Sequence, residues 1–194
     1  MRLPLFPLDT VLFPGCVLDL QIFEARYLDM VSQCLKAGHG FGVVQILAGG
    51  EVGAAPTSFA RVGCEALIRD WQQLPNGLLG IRVEGGRRFD VQSSEVQRDQ
   101  LTVAEVAWRS APDPQPLAEH HADLIVLLAA LGQHPMVKTL GLGGAVSDQA
   151  ALASQLAYLL PFEARQKIEL LGLDEPEQQL EQIQSLLELL QDGA

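Results

Sequence analysis

The segment Ala111-Pro112-Asp113-Pro114-Gln115-Pro116 places three prolines in six residues. Each ring fixes φ and removes a backbone donor, so neither a helix nor an interior strand runs through it. Such a segment is stiff and extended and reads as a linker. The hydrophobic periodicity changes across it, from short β-type runs before to long helical runs after. The charge changes as well. Residues 1–110 carry ten Lys and Arg against twelve Asp and Glu, a net of −2, whereas residues 111–194 carry three against twelve, a net of −9. The organisational boundary therefore falls here, with one unit over 1–110 and a helical unit over 117–194.

Before the linker, Val17–Ile22 partly alternates apolar and polar residues, and Phe41–Leu47 is a denser apolar run that fits a buried strand. Phe59–Trp71 is a long β-type stretch with Gly63 inside it, where a bend or bulge is expected. Pro75-Asn76-Gly77 is the strongest turn signal in the chain, because Asn and Gly tolerate the positive φ of tight hairpins. Leu78–Glu84 is its expected return strand, Gly85-Gly86 an expected break, and Arg88–Val91 and Leu101–Trp108 the strands that follow. Short strands separated by Gly-rich turns point to a closed or half-closed barrel. One helix interrupts them over Glu24–Lys36, with Tyr27, Met30, Val31, Cys34 and Leu35 on one face and Gly38 as its stop.

After the linker a helix is expected over Ala118–Leu131, a short turn over Met136–Leu140, and a helix over Asp148–Leu160 with Ser147 as N-cap. Pro161 suits the first turn of the next helix, which carries Glu163 and Lys167 four apart and stops at Gly172. Asp174-Glu175-Pro176-Glu177 has the spacing of a capping box. The last helix runs to about Gln191 with an apolar stripe of Leu180, Ile183, Leu186, Leu187 and Leu190. The fold class is α+β.

Several function classes fall away. A net charge of −11 disfavours a broad electrostatic grip on nucleic acid or anionic lipid. Arg82, Arg87 and Arg88 are the one basic cluster, and Glu84 and Asp90 lie beside them. No apolar run reaches the ~20 residues of a membrane span, and the start Met1–Pro7 is too short for a secretion signal, so a cytoplasmic chain with no membrane partner is expected. Cys16, Cys34 and Cys64 are odd in number and far apart, which reads as buried free thiols rather than a redox or zinc motif. His120, His121, Asp123 and His134 are the available metal-binding types, yet neighbouring histidines on a helix diverge by about 100° and no i, i+4 pair exists. No metal site, cofactor or catalytic residue is expected.

The opening carries a resemblance. Leu3-Pro4-Leu5-Phe6-Pro7-Leu8-Asp9, then Val11-Leu12-Phe13-Pro14-Gly15, then Leu18–Tyr27, resembles the N-terminal substrate-binding domain of the Lon protease family, and most of all its stand-alone bacterial members. Ala60–Gly63, Pro75–Gly77, Gly85–Val91, Leu159–Pro161 and Lys167–Leu171 resemble later segments of that domain in the same order. The resemblance implies a PUA-like β pseudobarrel with one inserted helix, followed by a C-terminal α-helical bundle. It also implies recognition of protein substrates. It does not carry over proteolysis or ATP hydrolysis. Gly141-Leu142-Gly143-Gly144-Ala145 lacks the lysine of a phosphate-binding loop, nothing resembles the peptidase signature, and the chain is expected to stop where an ATPase would begin.

The expected function is thus a non-enzymatic module that binds protein or unfolded polypeptide segments, with a protease or chaperone system in trans as a further partner. The expected binding surface is apolar and draws on Phe6, Phe13, Phe23 and Tyr27. Two alternatives stand beside it: a small-ligand-binding protein or enzyme with a pocket between barrel and helices, and an RNA-binding PUA-like domain. Glu24 and Arg26, two residues apart, read as local capping and packing around the helix start.

Overall fold

A computed structural model describes residues 1–192 of the chain; residues 193–194, which the expected helical unit included, lie outside the described residues. The chain divides into two compact units, Met1–Ser110 and a second from Ala111 onward. The fold is α+β: seven strands and one helix in the first unit, five α-helices and a 3-10 turn in the second.

In the first unit, β1 (Arg2–Leu8), β2 (Val17–Ile22), α1 (Ala25–Ala37), β3 (Phe41–Ala48), β4 (Ser58–Phe59), β5 (Val62–Gln73), β6 (Leu79–Val96) and β7 (Thr102–Trp108) follow in order. The hydrogen-bonded sequence β1-β7-β6-β5-β3 is closed by a parallel β1–β3 pairing that sets Leu5 opposite Gly42. Five strands thus form a ring. β4 extends β3 at one end, and β2 pairs with the first half of β6.

The core of this ring is Leu3, Leu5, Val44, Phe89, Val91, Ala104 and Val106. Phe89 is fully buried and meets Trp108 edge-on at 5.9 Å between ring centroids. Gly42 and Gly63 sit against its ring, and a Cβ at either would come within 2.7 and 2.5 Å of it. Residue size in the ring is therefore matched across strands, one large aromatic against two positions without side chains.

The strands differ from the sequence reading in two places. β1 forms where no strand was named, although Pro4 and Pro7 fall within it. Barrel closure overrides that signal: β1 still pairs with β7 on one side and β3 on the other. Gly85-Gly86 is no break. β6 runs through it for 18 residues. The glycine is needed because the turn at Phe13–Cys16 lies directly on the strand: Gly15 N–H donates to the Gly85 carbonyl and Gly85 N–H to the Cys16 carbonyl, both at 2.8 Å. A Cβ on Gly85 would collide with the Phe13 carbonyl oxygen. The Pro75-Asn76-Gly77 turn forms as expected, with Gly77 at φ +83° and Leu74 N–H bonded to the Leu78 carbonyl at 2.8 Å.

α1 buries Arg26, Tyr27, Met30, Val31 and Cys34 and ends at Gly38 in the left-handed region, φ 70°. Leu35, expected on the buried face, is exposed.

The second unit begins with a 3-10 turn (Glu119–His121) and continues as α2 (Ala122–Leu131), α3 (Pro135–Thr139), α4 (Gln149–Leu159), α5 (Ala164–Gly172) and α6 (Pro176–Asp192). Its core includes Leu128, Leu152, Leu156, Leu170, Leu180 and Ile183. The cap of α4 is Asp148 rather than Ser147, with its carboxylate accepting from Ala151 N–H at 2.8 Å. Pro161 lies before α5 rather than in its first turn. Lys167 Nζ donates to the Tyr158 carbonyl at 2.7 Å. Leu190, expected in the stripe of α6, is exposed. The Glu177 carboxylate meets His120 and His121. No helix among the described residues is long and apolar enough to cross a membrane.

The close passage at Gly85 is testable. Gly85→Ala should lower the unfolding free energy in urea by about 2–3 kcal/mol, the range for forcing volume into a packed site. Gly86→Ala should cost less, because its Cβ would meet only side-chain atoms, at 3.1 Å and beyond.

Candidate functional site

Beyond the ring, β5 and β6 continue past their pairing with β3 and β7 and are joined by β2 into a three-stranded arm. Leu18, Leu20 and Ile22 of β2 stand opposite Val83, Ile81 and Leu79 of β6, and Ile68, Trp71 and Gln73 of β5 complete those rows. Paired residues share a face, so one face of the arm is almost wholly apolar. The other face carries Asp19, Arg82 and Asp70 in one row and Gln21, Gly80 and Gln72 in the next.

Helix α1 lies along the apolar face and leaves an open groove of about 340 Å³. One wall is the α1 stripe Leu28, Val31, Ser32 and Leu35, whose three- and four-residue spacing puts it on one side of the helix. Trp71 and Leu79 form the other wall, and Lys36 stands at the rim. Trp71 is 61% exposed, Leu35 44% and Leu28 37%. An isolated exposed leucine is ordinary, whereas three large apolar side chains around one groove form an exposed apolar patch.

The four expected surface aromatics separate. Phe6, Phe23 and Tyr27 line a second, smaller groove of about 160 Å³ together with Leu20, Ile22 and Val52, and Asp19, Glu24 and Glu51 give it acidic edges. Of these aromatics only Phe23 is exposed, at 52%. Phe6 and Tyr27 are buried, with ring centroids 4.0 Å apart. Burial pushes the Tyr27 hydroxyl up to about 12. Phe13 is buried in the core and lines neither groove. Trp71, Leu28 and Leu35 were missed from sequence. The available signal was a lone tryptophan in the polar strand end Arg69-Asp70-Trp71-Gln72-Gln73.

The polar groups nearby are already engaged. Arg82 holds Asp19 through two hydrogen bonds of 2.7 and 2.8 Å, which keeps the Asp19 carboxyl below its ordinary range. Arg87 pairs with Glu65 at 3.3 Å and stacks on Trp108 at 4.0 Å, and Arg88 is buried. The three arginines thus form no shared basic surface. Arg26, 5% exposed, bonds Glu24 at 3.1 Å and the Gln100 carbonyl at 2.8 Å and packs on the Tyr27 ring. Glu24 in turn accepts from Gly53 N–H at 3.3 Å. This pair ties the start of α1 to two loops. Cys16, Cys34 and Cys64 are all buried, and desolvation pushes the Cys34 thiol up to about 11. None is poised as a nucleophile.

The family model described as the ATP-dependent protease La (LON) substrate-binding domain matches residues 2–189. The chain belongs to the Lon substrate-binding domain family. It is 36% identical to a solved Lon N-terminal domain protein from Xanthomonas campestris, with a TM-score of 0.77 over 95% of this chain and 98% of that one. The N-terminal domain of a Mycobacterium avium complex Lon protease shares the fold at 18% identity, with a TM-score of 0.63 over 94% of this chain and 96% of that one. A Lon protease of Roseiflexus castenholzii is 32% identical over 162 residues, which are 83% of this chain and 18% of that protein. The chain thus corresponds to the substrate-binding part of a Lon protease and spans under a fifth of that relative's length.

Two measurements check this geometry. With Trp108→Phe leaving Trp71 as the sole tryptophan, acrylamide should quench the native fluorescence nearly as strongly as in urea. Arg26→Ala should lower stability by about 2–3 kcal/mol, as expected for buried charge-assisted hydrogen bonds, while Arg82→Ala, at an exposed pair, should cost under about 1 kcal/mol. Urea unfolding of both variants separates the two cases.

Proposed function

We propose that this chain is a non-enzymatic module that binds extended or partly unfolded polypeptide in the groove between α1 and the arm. The observation that carries the reading is the exposure of Trp71, Leu28 and Leu35 around one open, apolar groove. Membership in a substrate-binding family supports it. The residues matched to that family carry no phosphate-binding loop.

The physical mechanism is burial of apolar side chains from the bound segment. A fully buried Leu or Phe gains about 1.5–3 kcal/mol. Ordering a flexible partner offsets much of that gain, so binding is in the micromolar class and fast to release. An open, shallow groove with few polar anchors reads apolar content rather than one sequence, which suits many unfolded substrates. The smaller groove at Phe23 lies on the same side of α1's start and shares β2 with the arm, so one extended segment could place side chains in both. β2 pairs with no strand other than β6 among the described residues, and strand addition there would add backbone hydrogen bonds. A protease or chaperone system in trans is the partner that such loading would serve.

The test is fluorescence anisotropy with a labelled, reduced and unfolded protein, and its folded form as control. The unfolded form should bind and the folded form should not. Trp71→Ala and Leu35→Ala should each weaken binding about tenfold, which is ~1.4 kcal/mol, with the far-UV spectrum unchanged. Equal binding by both variants would place the contact elsewhere, and no binding by the parent chain would end the proposal.

A further inference from the structure

His120, His121 and Glu177 bring three donor atoms together in the second unit, within 4.8 Å of one another. Sequence reasoning expected the two histidines to diverge. The structure corrects this. They occupy a 3-10 turn rather than an α-helix, and their rings lie 4.0 Å apart because both side chains swing toward Glu177 on the first turn of α6. His120 Nε2 lies 2.8 Å from Glu177 Oε1, and His121 Nε2 lies 3.3 Å from the same oxygen. His121 is 1% exposed, whereas His120 is open to solvent. Asp123 and His134 do not join the cluster. The His134 ring caps α3 through Met136 N–H at 3.3 Å.

We propose that His120, His121 and Glu177 form a zinc-binding site, with water as fourth ligand. The donor set of two imidazoles and one carboxylate suits Zn²⁺, and it is a poor match for Mg²⁺, which takes oxygen ligands in octahedral geometry. The spacing fits as well. Zinc held at about 2.0–2.1 Å from each donor in a tetrahedron requires donor–donor separations of roughly 3.3–3.4 Å. The His121–Glu177 edge, 3.3 Å, already has that length, and the His120–Glu177 edge, 2.8 Å, opens by about half an ångström when His120 turns. The third, between the two ring nitrogens, closes by rotation of the exposed His120 side chain. His121 and Glu177 then act as the fixed half of the site and His120 as its closing ligand.

Loading the ion moves protons. His121 Nδ1 accepts from Ala118 N–H at 3.3 Å, so the neutral ring carries its proton on Nε2 and donates it to Glu177. Zinc takes that Nε2 lone pair, and the ring keeps one proton, now on Nδ1. The Ala118 hydrogen bond is given up. Zinc binding is thereby linked to the start of the 3-10 turn, and acid competes with it because protonated imidazole has no lone pair to offer. The site is independent of the α1 groove and of the polypeptide-binding reading.

The experiment is a titration of the full chain with ZnCl₂ by calorimetry, with MgCl₂ as control and Co²⁺ as a spectroscopic probe. Zinc should bind one to one near neutral pH and weaken on acidification, and Co²⁺ should show the visible band of a tetrahedral ion. His120→Ala and Glu177→Gln should each weaken zinc binding at least ~tenfold. In NMR spectra, zinc should shift the Ala118 amide and both imidazoles. Absence of saturable zinc binding, binding that survives both substitutions, or a titration that leaves the His120 and His121 rings unmoved overturns the proposal. The wild-type spectra decide the matter even if a variant folds poorly.

Discussion

The first unit depends on one strand serving two structures at once. β6 pairs with β7 over its second half and with β2 over its first, while β5 follows it from Leu79 to Asp90, across the changeover. The changeover is at Gly85, where the Phe13–Cys16 turn hydrogen-bonds both ways to the strand's backbone. An ordinary residue there would push the turn away. The ring would lose its contact with the chain segment that leads into β2, the third strand of the arm. The exclusion of a single methyl group thus couples barrel closure to the surface on which Trp71 is displayed.

That surface follows from pairing geometry. A three-stranded arm has two faces, and here one is apolar but for Gln73 while the other carries the Asp19–Arg82 pair, Asp70, Gln21 and Gln72. In a sheet of an ordinary core the apolar face would be covered completely. Helix α1 covers only part of it, and its stripe of Leu28, Val31 and Leu35 shares an open groove with Trp71 and Leu79. The remaining strip is open. Exposed apolar area of this kind opposes solubility, and it is the feature on which the proposed binding of unfolded chains rests.

Much of this was legible in the sequence. β2, β3, the Asn-Gly hairpin and α1 were readable because each rests on local rules of alternation, turn chemistry or helical spacing. β1 was not, since local rules count prolines against a strand and cannot weigh the two neighbours that closure supplies. Gly85-Gly86 misled for the opposite reason. Glycine marks both turns and close approaches, and only the Phe13 carbonyl lying on the strand distinguishes them. The place of the exposed apolar groove was not legible. An apolar surface was expected around Phe6, Phe13, Phe23 and Tyr27, yet burial of one aromatic depends on contacts far along the chain. Trp71 gave a fainter mark, as an aromatic among polar residues. The meeting of His120 and His121 with Glu177 depends on α6 reaching back across 56 residues, which no short-range spacing encodes.

All three cysteines lie inside the fold, and desolvation keeps Cys34 and Cys64 as thiols. The native chain therefore offers no competing site to a thiol-directed dye. A single cysteine introduced beside Trp71 would accept a label selectively, without any native cysteine being removed, and would turn the groove into an optical probe of its own surroundings.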